Sequence, residues 1–274
     1  MRTTRGAALL LVLLAGCEPT TPWEGETGET LTFVVQAADI PLVDLSTRRA
    51  YGFDLDDRVG FCGVSDFVSI ATGEAGVDNQ VAGELLPALY AASGVPSVGT
   101  QLTDAIAAGD FLLGLEIEDV DDMTNDRSVN VRLVILELPA GATLRLDGSG
   151  PAPDQEFIVR QVLATIPLAA IVEGRFELDV PSFPLWLPLE GGDGLTLNLW
   201  RFRLAGDVSR EAISEGNLGA YFDIGEGVGL AEWIAPGVVT AETIEDFVRP
   251  DLSAGGACRG VSMGMSFRAV PATF

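Results

Sequence analysis

The chain has 274 residues, with 40 acidic against 16 basic side chains and a formal net charge of −24. Every basic residue is arginine; the absence of histidine and lysine removes the commonest general base, every histidine metal site, Schiff-base chemistry and a serine–lysine dyad. A surface this acidic repels nucleic acid and suits divalent cations, a basic protein or plain solubility.

The N-terminus carries Arg2 and Arg5 without an acid, then an unbroken apolar run over residues 7–15, and polarity returns at Glu18. A basic start, a short apolar core and small residues before a cut describe a secretory signal peptide over residues 1–16. The run falls short of the ~20 apolar residues a helix needs to cross a bilayer. It ends Leu14-Ala15-Gly16-Cys17, which resembles the lipobox of bacterial lipoproteins. The resemblance implies cleavage after Gly16, a diacylglyceryl thioether on Cys17 and acylation of the new amine. Several acyl chains on one residue hold a protein to a membrane where one chain is marginal. Glu18, where aspartate favours inner-membrane retention, implies an outer-membrane or cell-envelope location.

Residues 17–30 read as a lipidated flexible tether rich in Glu, Thr, Pro and Gly. A flexible segment of this length spans roughly 20 Å. Residues 31–274 read as a single β-rich domain. Leu31–Ala37 is the first strand, and Leu45–Leu55 reads as extended. Val77–Ser93 has helical spacing, with Val81, Leu85, Leu86 and Leu89 on one face, Asp78 as N-cap and Pro87 as a kink. A second short helix is expected at Leu102–Ala108, capped by Thr100 or Thr103.

From Phe111 onward the apolar period is two. Val129, Val131, Leu133 and Ile135 alternate with polar residues, as do Phe176, Leu178 and Val180. Leu195, Leu197 and Leu199 hold one phase and Trp200, Phe202 and Leu204 the other, which predicts a β-bulge near Leu199–Trp200 and places Trp200 in the core. Short helices are expected near Gly229–Ile234 and Ala241–Val248, and a last strand runs from Val261 to Ala269. Many alternating strands separated by glycine-rich turns predict a mainly β fold: an antiparallel, jelly-roll-like β-sandwich with a few short helices at one end.

With Cys17 lipidated, Cys62 and Cys258 remain, an even number in an oxidising compartment, and are expected to pair. Two acidic clusters stand out. Asp54, Asp56 and Asp57 lie in GFDLDD, and Asp119, Asp121, Asp122, Asn125 and Asp126 lie in EDVDDMTND. Loops rich in Asp and Asn can supply the six to eight oxygens that Ca²⁺ takes, although Met123 breaks the EF-hand pattern. In GEAGVDNQ a ligand role for Asp78 or Asn79 stands beside the capping role. Gly260-Val261-Ser262-Met263-Gly264 matches the nucleophile-elbow spacing, but it sits in a strand pattern and no histidine exists to activate the serine.

The run of GFDLDD, a following cysteine, GVDNQ and VDDMTND resembles a pattern in secreted proteins of unknown function from GC-rich Gram-negative bacteria. The resemblance covers roughly residues 50–135 and implies a recurring extracytoplasmic module. The expected function is therefore a membrane-anchored binding or structural module, with the bilayer and a basic protein or glycan as partners. The alternative is a carboxylate-based glycan hydrolase, with Trp23, Trp186, Trp200 and Trp233 available to stack on sugar.

Overall fold

The computed structural model describes residues 28–58, 60–94, 96–148, 150–188, 194–235, 237, 244, 248–254 and 257–274. The expected signal peptide, Cys17, Trp23, nearly all of the expected tether and most of the helix expected at Ala241–Val248 lie outside them, as do the side chains of Trp186 and Trp233.

Eight long strands build the body: β1 (Glu29–Asp39), β2 (Leu113–Val120), β3 (Asn125–Glu137), β4 (Ile158–Val172), β5 (Arg175–Pro188), β6 (Gly194–Val208), β7 (Ile213–Asp223) and β8 (Ala257–Thr273). Each pairs antiparallel with the next, and β8 pairs back onto β1 with Phe33 opposite Pro271 and Asp39 opposite Ser266. The mainly β expectation holds, but the sheet closes into an eight-stranded antiparallel barrel in place of the expected sandwich. The reason lies in the connections. Consecutive strands are neighbours, so no crossover divides them between two sheets, and the first strand zips onto the last, which removes both edges.

Alternation fills the barrel. Leu115 and Ile117 of β2, Val131 and Leu133 of β3, Phe176 and Leu178 of β5, Phe202 and Leu204 of β6 and Phe222 of β7 are all buried in one cluster. Eight strands enclose an interior about as wide as the side chains that fill it. The interior is thus a packed core, and each such side chain contributes about 1.5–3 kcal/mol of burial. The expected slip in β6 is present. Leu197 and Leu199 point inward, and so do Phe202 and Leu204, because Arg201 takes a φ of 47° and the register onto β7 shifts between Trp200 and Arg203. Trp200 falls outside this bulge and is 45% exposed, which corrects its placement in the core.

β1, β3 and β8 are apolar on both faces because they are covered outside as well. Val34, Val134, Leu136 and Val270 form a second cluster with Leu112 and Phe157. Gln36 reaches from the β1 face to donate to the Pro151 carbonyl at 3.0 Å, tying the short hairpin Leu146–Asp147/Gly150–Pro151 to the wall.

No alternation marks β4 because it is largely exposed along its length, with Leu168 at 75%. Its register on β3 shifts repeatedly, and it meets β5 only through Ala170–Val172 against Arg175–Glu177. Pro167 on β4 and Pro181, Pro184 and Pro188 on β5 lack the amide proton a ladder needs. Repeated bulges and prolines keep this seam of the barrel short.

The helices are α1 (Leu86–Ser93), α2 (Val98–Ala108) and α3 (Ile224–Ile234). A π-turn, Val81–Leu85, precedes α1, and Val81, Leu85, Leu86 and Leu89 are buried as their spacing predicts. Pro87 occupies the first turn of α1, where a missing amide proton costs nothing. Ser97, rather than Thr100 or Thr103, caps α2 and accepts from the Thr100 amide. Asp223 caps α3, which begins five residues before the expected Gly229. Of the stretch expected to be extended at Leu45–Leu55, only Arg49–Ala50 is strand, paired with Phe67–Ser69 and through it with Ala75–Val77.

Candidate metal centre

The segment that carries Asp54 and Asp56 lies flat on the outside of β7 and β8. It can do so because Gly219 and Gly264 face each other across that pair. A Cβ on Gly264 would come within 2.0 Å of the Tyr51 carbonyl oxygen. Two buried asparagines clamp the segment. Asn217 exchanges both amide hydrogen bonds with the backbone of Gly52 at 2.8 Å, and Asn79 donates to the Tyr51 carbonyl at 2.8 Å and the Gly264 carbonyl at 3.2 Å. Arg203 stacks over Phe53 at 4.9 Å and donates to the Asp54 carbonyl at 3.1 Å.

This clamp gathers three carboxylates. Asp54, Asp56 and Asp78 each offer an oxygen, and the three lie within 4.8 Å of one another. Asp54 Oδ1 and Asp56 Oδ2 are sealed from solvent and meet no hydrogen-bond donor. Gly76, at φ 105°, leaves room for the Asp54 carboxylate, whose Oδ2 would sit 2.9 Å from a Cβ there. Asp78 does not cap the helix. Its Oδ2 accepts the Leu55 amide at 2.7 Å, and Asn79 Oδ1 takes the Ala82 amide at 3.1 Å instead. Burial pushes the Asp78 carboxyl up to about 9 against the pull of the Leu55 amide, and Asp251, Asp66 and Asp56 add to the rise. Burial also raises Asp56 and Asp66, with Asp54 adding to both.

The other expected ligands fall elsewhere. Asp57 is exposed and pairs with Arg201 at 3.2 Å. The cluster between β2 and β3 spends its oxygens on its own turn. Asp126 accepts the Asp121 amide at 2.7 Å and the Ser128 amide at 3.0 Å, and Asp122 accepts the Thr124 amide at 2.7 Å. Asn125 Oδ1 takes the Glu173 amide at 3.3 Å, and Asp119 accepts from the Asn130 side chain at 2.9 Å. Among the described residues, the three-acid group of metal-binding size contains Asp54, Asp56 and Asp78 and none of Asp119, Asp121, Asp122, Asn125 or Asp126. Asp78 is the member of this trio that a capping assignment hides. Its signal is the GVDNQ segment, where a glycine two residues before the aspartate opens the space.

Ser262 lies inside β8 with no exposure. It donates its hydroxyl to Asp251, accepts the Gln80 amide at 2.9 Å and gives its own amide to Asp251 at 3.0 Å. Its hydroxyl serves packing, not attack. Cys62 and Cys258 are at bonding distance and join the loop after the carboxylates to the start of β8. A glycosidase pair stands about 5 to 9.5 Å apart across a cleft. The trio is tighter than that, which suits a shared proton or a cation. No family model, no curated protein and no solved structure matches the chain.

Proposed function

We propose that the chain is a lipid-anchored envelope protein whose barrel acts as a non-catalytic binding module, and that Asp54, Asp56 and Asp78 hold a divalent cation, calcium in the first place. The supporting observation is the pair of sealed, donorless oxygens on Asp54 and Asp56 beside the buried Asp78. Calcium binds oxygen at about 2.3–2.6 Å. Two oxygens on opposite sides of one ion are then about 5 Å apart, in keeping with a span of 4.8 Å. An ion there would meet the two sealed oxygens directly, and backbone carbonyls or water would complete its shell. The acidic surface of the chain draws such an ion in.

Thermal unfolding with added calcium tests the site. At a hundredfold excess over Kd the ion adds about 2.7 kcal/mol, a rise of roughly 5–10 °C for a domain of this size. The double variant Asp54→Asn/Asp56→Asn is expected to lose that rise. An unchanged melting temperature at millimolar calcium would remove the metal from this reading.

The anchor rests on the lipobox resemblance at Cys17. Cys17→Ser is expected to shift the protein from the membrane pellet to the soluble fraction of cell lysates. Equal partitioning of variant and parent would sink the lipid anchor while leaving the cation site standing.

A further inference from the structure

At the β1–β8 seam, a cavity of about 550 Å³ opens between the outer wall and the first turn of α2. Its size falls in the range of small-molecule pockets. The strand register places Ala37 opposite Arg268 and Asp39 opposite Ser266, so these four residues share the outward face. Ala37, Asp39 and Arg268 line the cavity with Gly99 of α2, and the Asp39 carboxylate lies against Gly99, where a Cβ would come within 2.0 Å of its Oδ1. Ser97, Thr100 and Thr103 of α2 and its cap supply hydroxyls along the far wall.

The two charges are not spent on each other. Among the described residues no ion pair joins Asp39 to Arg268 or engages either of them. Asp39 is half-buried, and that burial raises its carboxyl, a penalty that a cationic partner relieves. A cavity with one fixed charge of each sign discriminates by charge. A simple anion meets Asp39 and the field of a chain carrying −24. A simple cation meets Arg268. A molecule carrying both charges meets neither penalty.

We infer that this cavity binds a compact zwitterion, an α-amino acid or the end of a short peptide, with its ammonium on Asp39, its carboxylate on Arg268 and the hydroxyls of α2 along its length. Arg268 offers the carboxylate a planar fork of donors that lysine would lack. Ser97 Oγ and Thr100 Oγ1 share a hydrogen bond at 3.0 Å, and the oxygen lone pairs of a hydroxyl let it accept as well as donate.

Chemical-shift titration of the mature protein with L-alanine and with L-alanyl-L-alanine tests the assignment, with acetate and methylammonium as single-charge probes. At least one zwitterion is expected to saturate at millimolar concentration, shifting amides of Ser97–Thr103 and Ser266–Arg268. Saturation by alanine points to a free amino acid, and saturation by the dipeptide alone points to a peptide end. Arg268→Gln and Asp39→Asn are each expected to weaken binding at least about tenfold without changing the far-ultraviolet spectrum. Silence of both zwitterions would overturn the inference. So would equal affinity in both variants, or single-charge probes that bind as well as the zwitterions. Asp54→Asn is expected to leave this titration untouched, which separates it from the cation site.

Discussion

Reducing the Cys62–Cys258 bridge is expected to cost the folded protein up to about 5 kcal/mol. The bridge closes a loop of 196 residues, and the chain-entropy value for a loop that long is about 5 kcal/mol. Cys258 is exposed and Cys62 half-buried, so a small reductant reaches them. The loss should fall short of the full figure because an unfolded chain keeps residual structure and gains less freedom than the ideal chain; the folded state itself keeps its polar ties after reduction: Asn217 to Gly52, Asn79 to Gly264, and the Gln80 amide to Ser262. Urea unfolding of the oxidised protein, the reduced protein and Cys62→Ser/Cys258→Ser measures it. Coincident midpoints for all three would show that the bridge contributes nothing. The bridge pins the chain six residues after Asp56, and the loop it closes contains Asp78, so the reduced protein is expected to bind calcium more weakly than the oxidised one.

The second large effect is a dependence of stability on pH that runs against the usual direction for carboxylates. Asp251 is 2% exposed, and burial pushes its carboxyl up to about 7 although the Ser262 hydroxyl and amide pull it down. Unfolded, it returns to an ordinary value near 3.8. The folded form therefore holds the proton more tightly. The stability this adds is complete below about pH 4, shrinks as pH rises and is gone once pH passes about 7. The distance between those two values sets a ceiling of about 4 kcal/mol. Asp44, Asp126 and Asp223 work the other way, with carboxyls held low, and their contributions disappear only as pH falls below the ordinary carboxylate range. Between pH 5 and 8, as an approximate window, the slope belongs to the buried acids. Asp251→Asn preserves an acceptor for the Ser262 amide and removes the titration. It is expected to reduce the slope of unfolding free energy below about pH 7 relative to the parent, leaving the part that Asp78, with its carboxyl pushed up to about 9, contributes. Parallel curves for the two proteins would show that Asp251 does not carry the slope.

The alternating strands were readable because each has one face in the core and one in water. Phe176/Leu178 and Phe202/Leu204 announce themselves in this way, and the phase slip between Leu199 and Phe202 reveals its bulge through the pattern alone. β4 was not readable, since a strand bulged at several points and bare along most of its length carries no period. Nor does alternation separate a sandwich from a barrel. That choice rests on whether Phe33 finds Pro271, a pairing across nearly the whole chain that no local pattern encodes. In the candidate site, Asp54 and Asp56 were visible as close neighbours in sequence. Asp78 arrives from beyond a turn and resembles a helix cap, because the neighbouring Asn79 performs that task unnoticed. The Asp119–Asp126 run is as dense in acids, and there backbone amides fold back onto the Asp126 carboxylate, an arrangement that composition does not reveal.

The seam between β1 and β8 also governs how the molecule is made. During synthesis the N-terminal strand emerges first and its last neighbour emerges almost at the end, so the ring stays open until the chain is nearly finished. Until then two ladders lack their partners, a state open to capture by other extended chains. A polypeptide truncated after Asp251 would be held in that state permanently, without β8 to close the circle and without Cys258 to bind the loop.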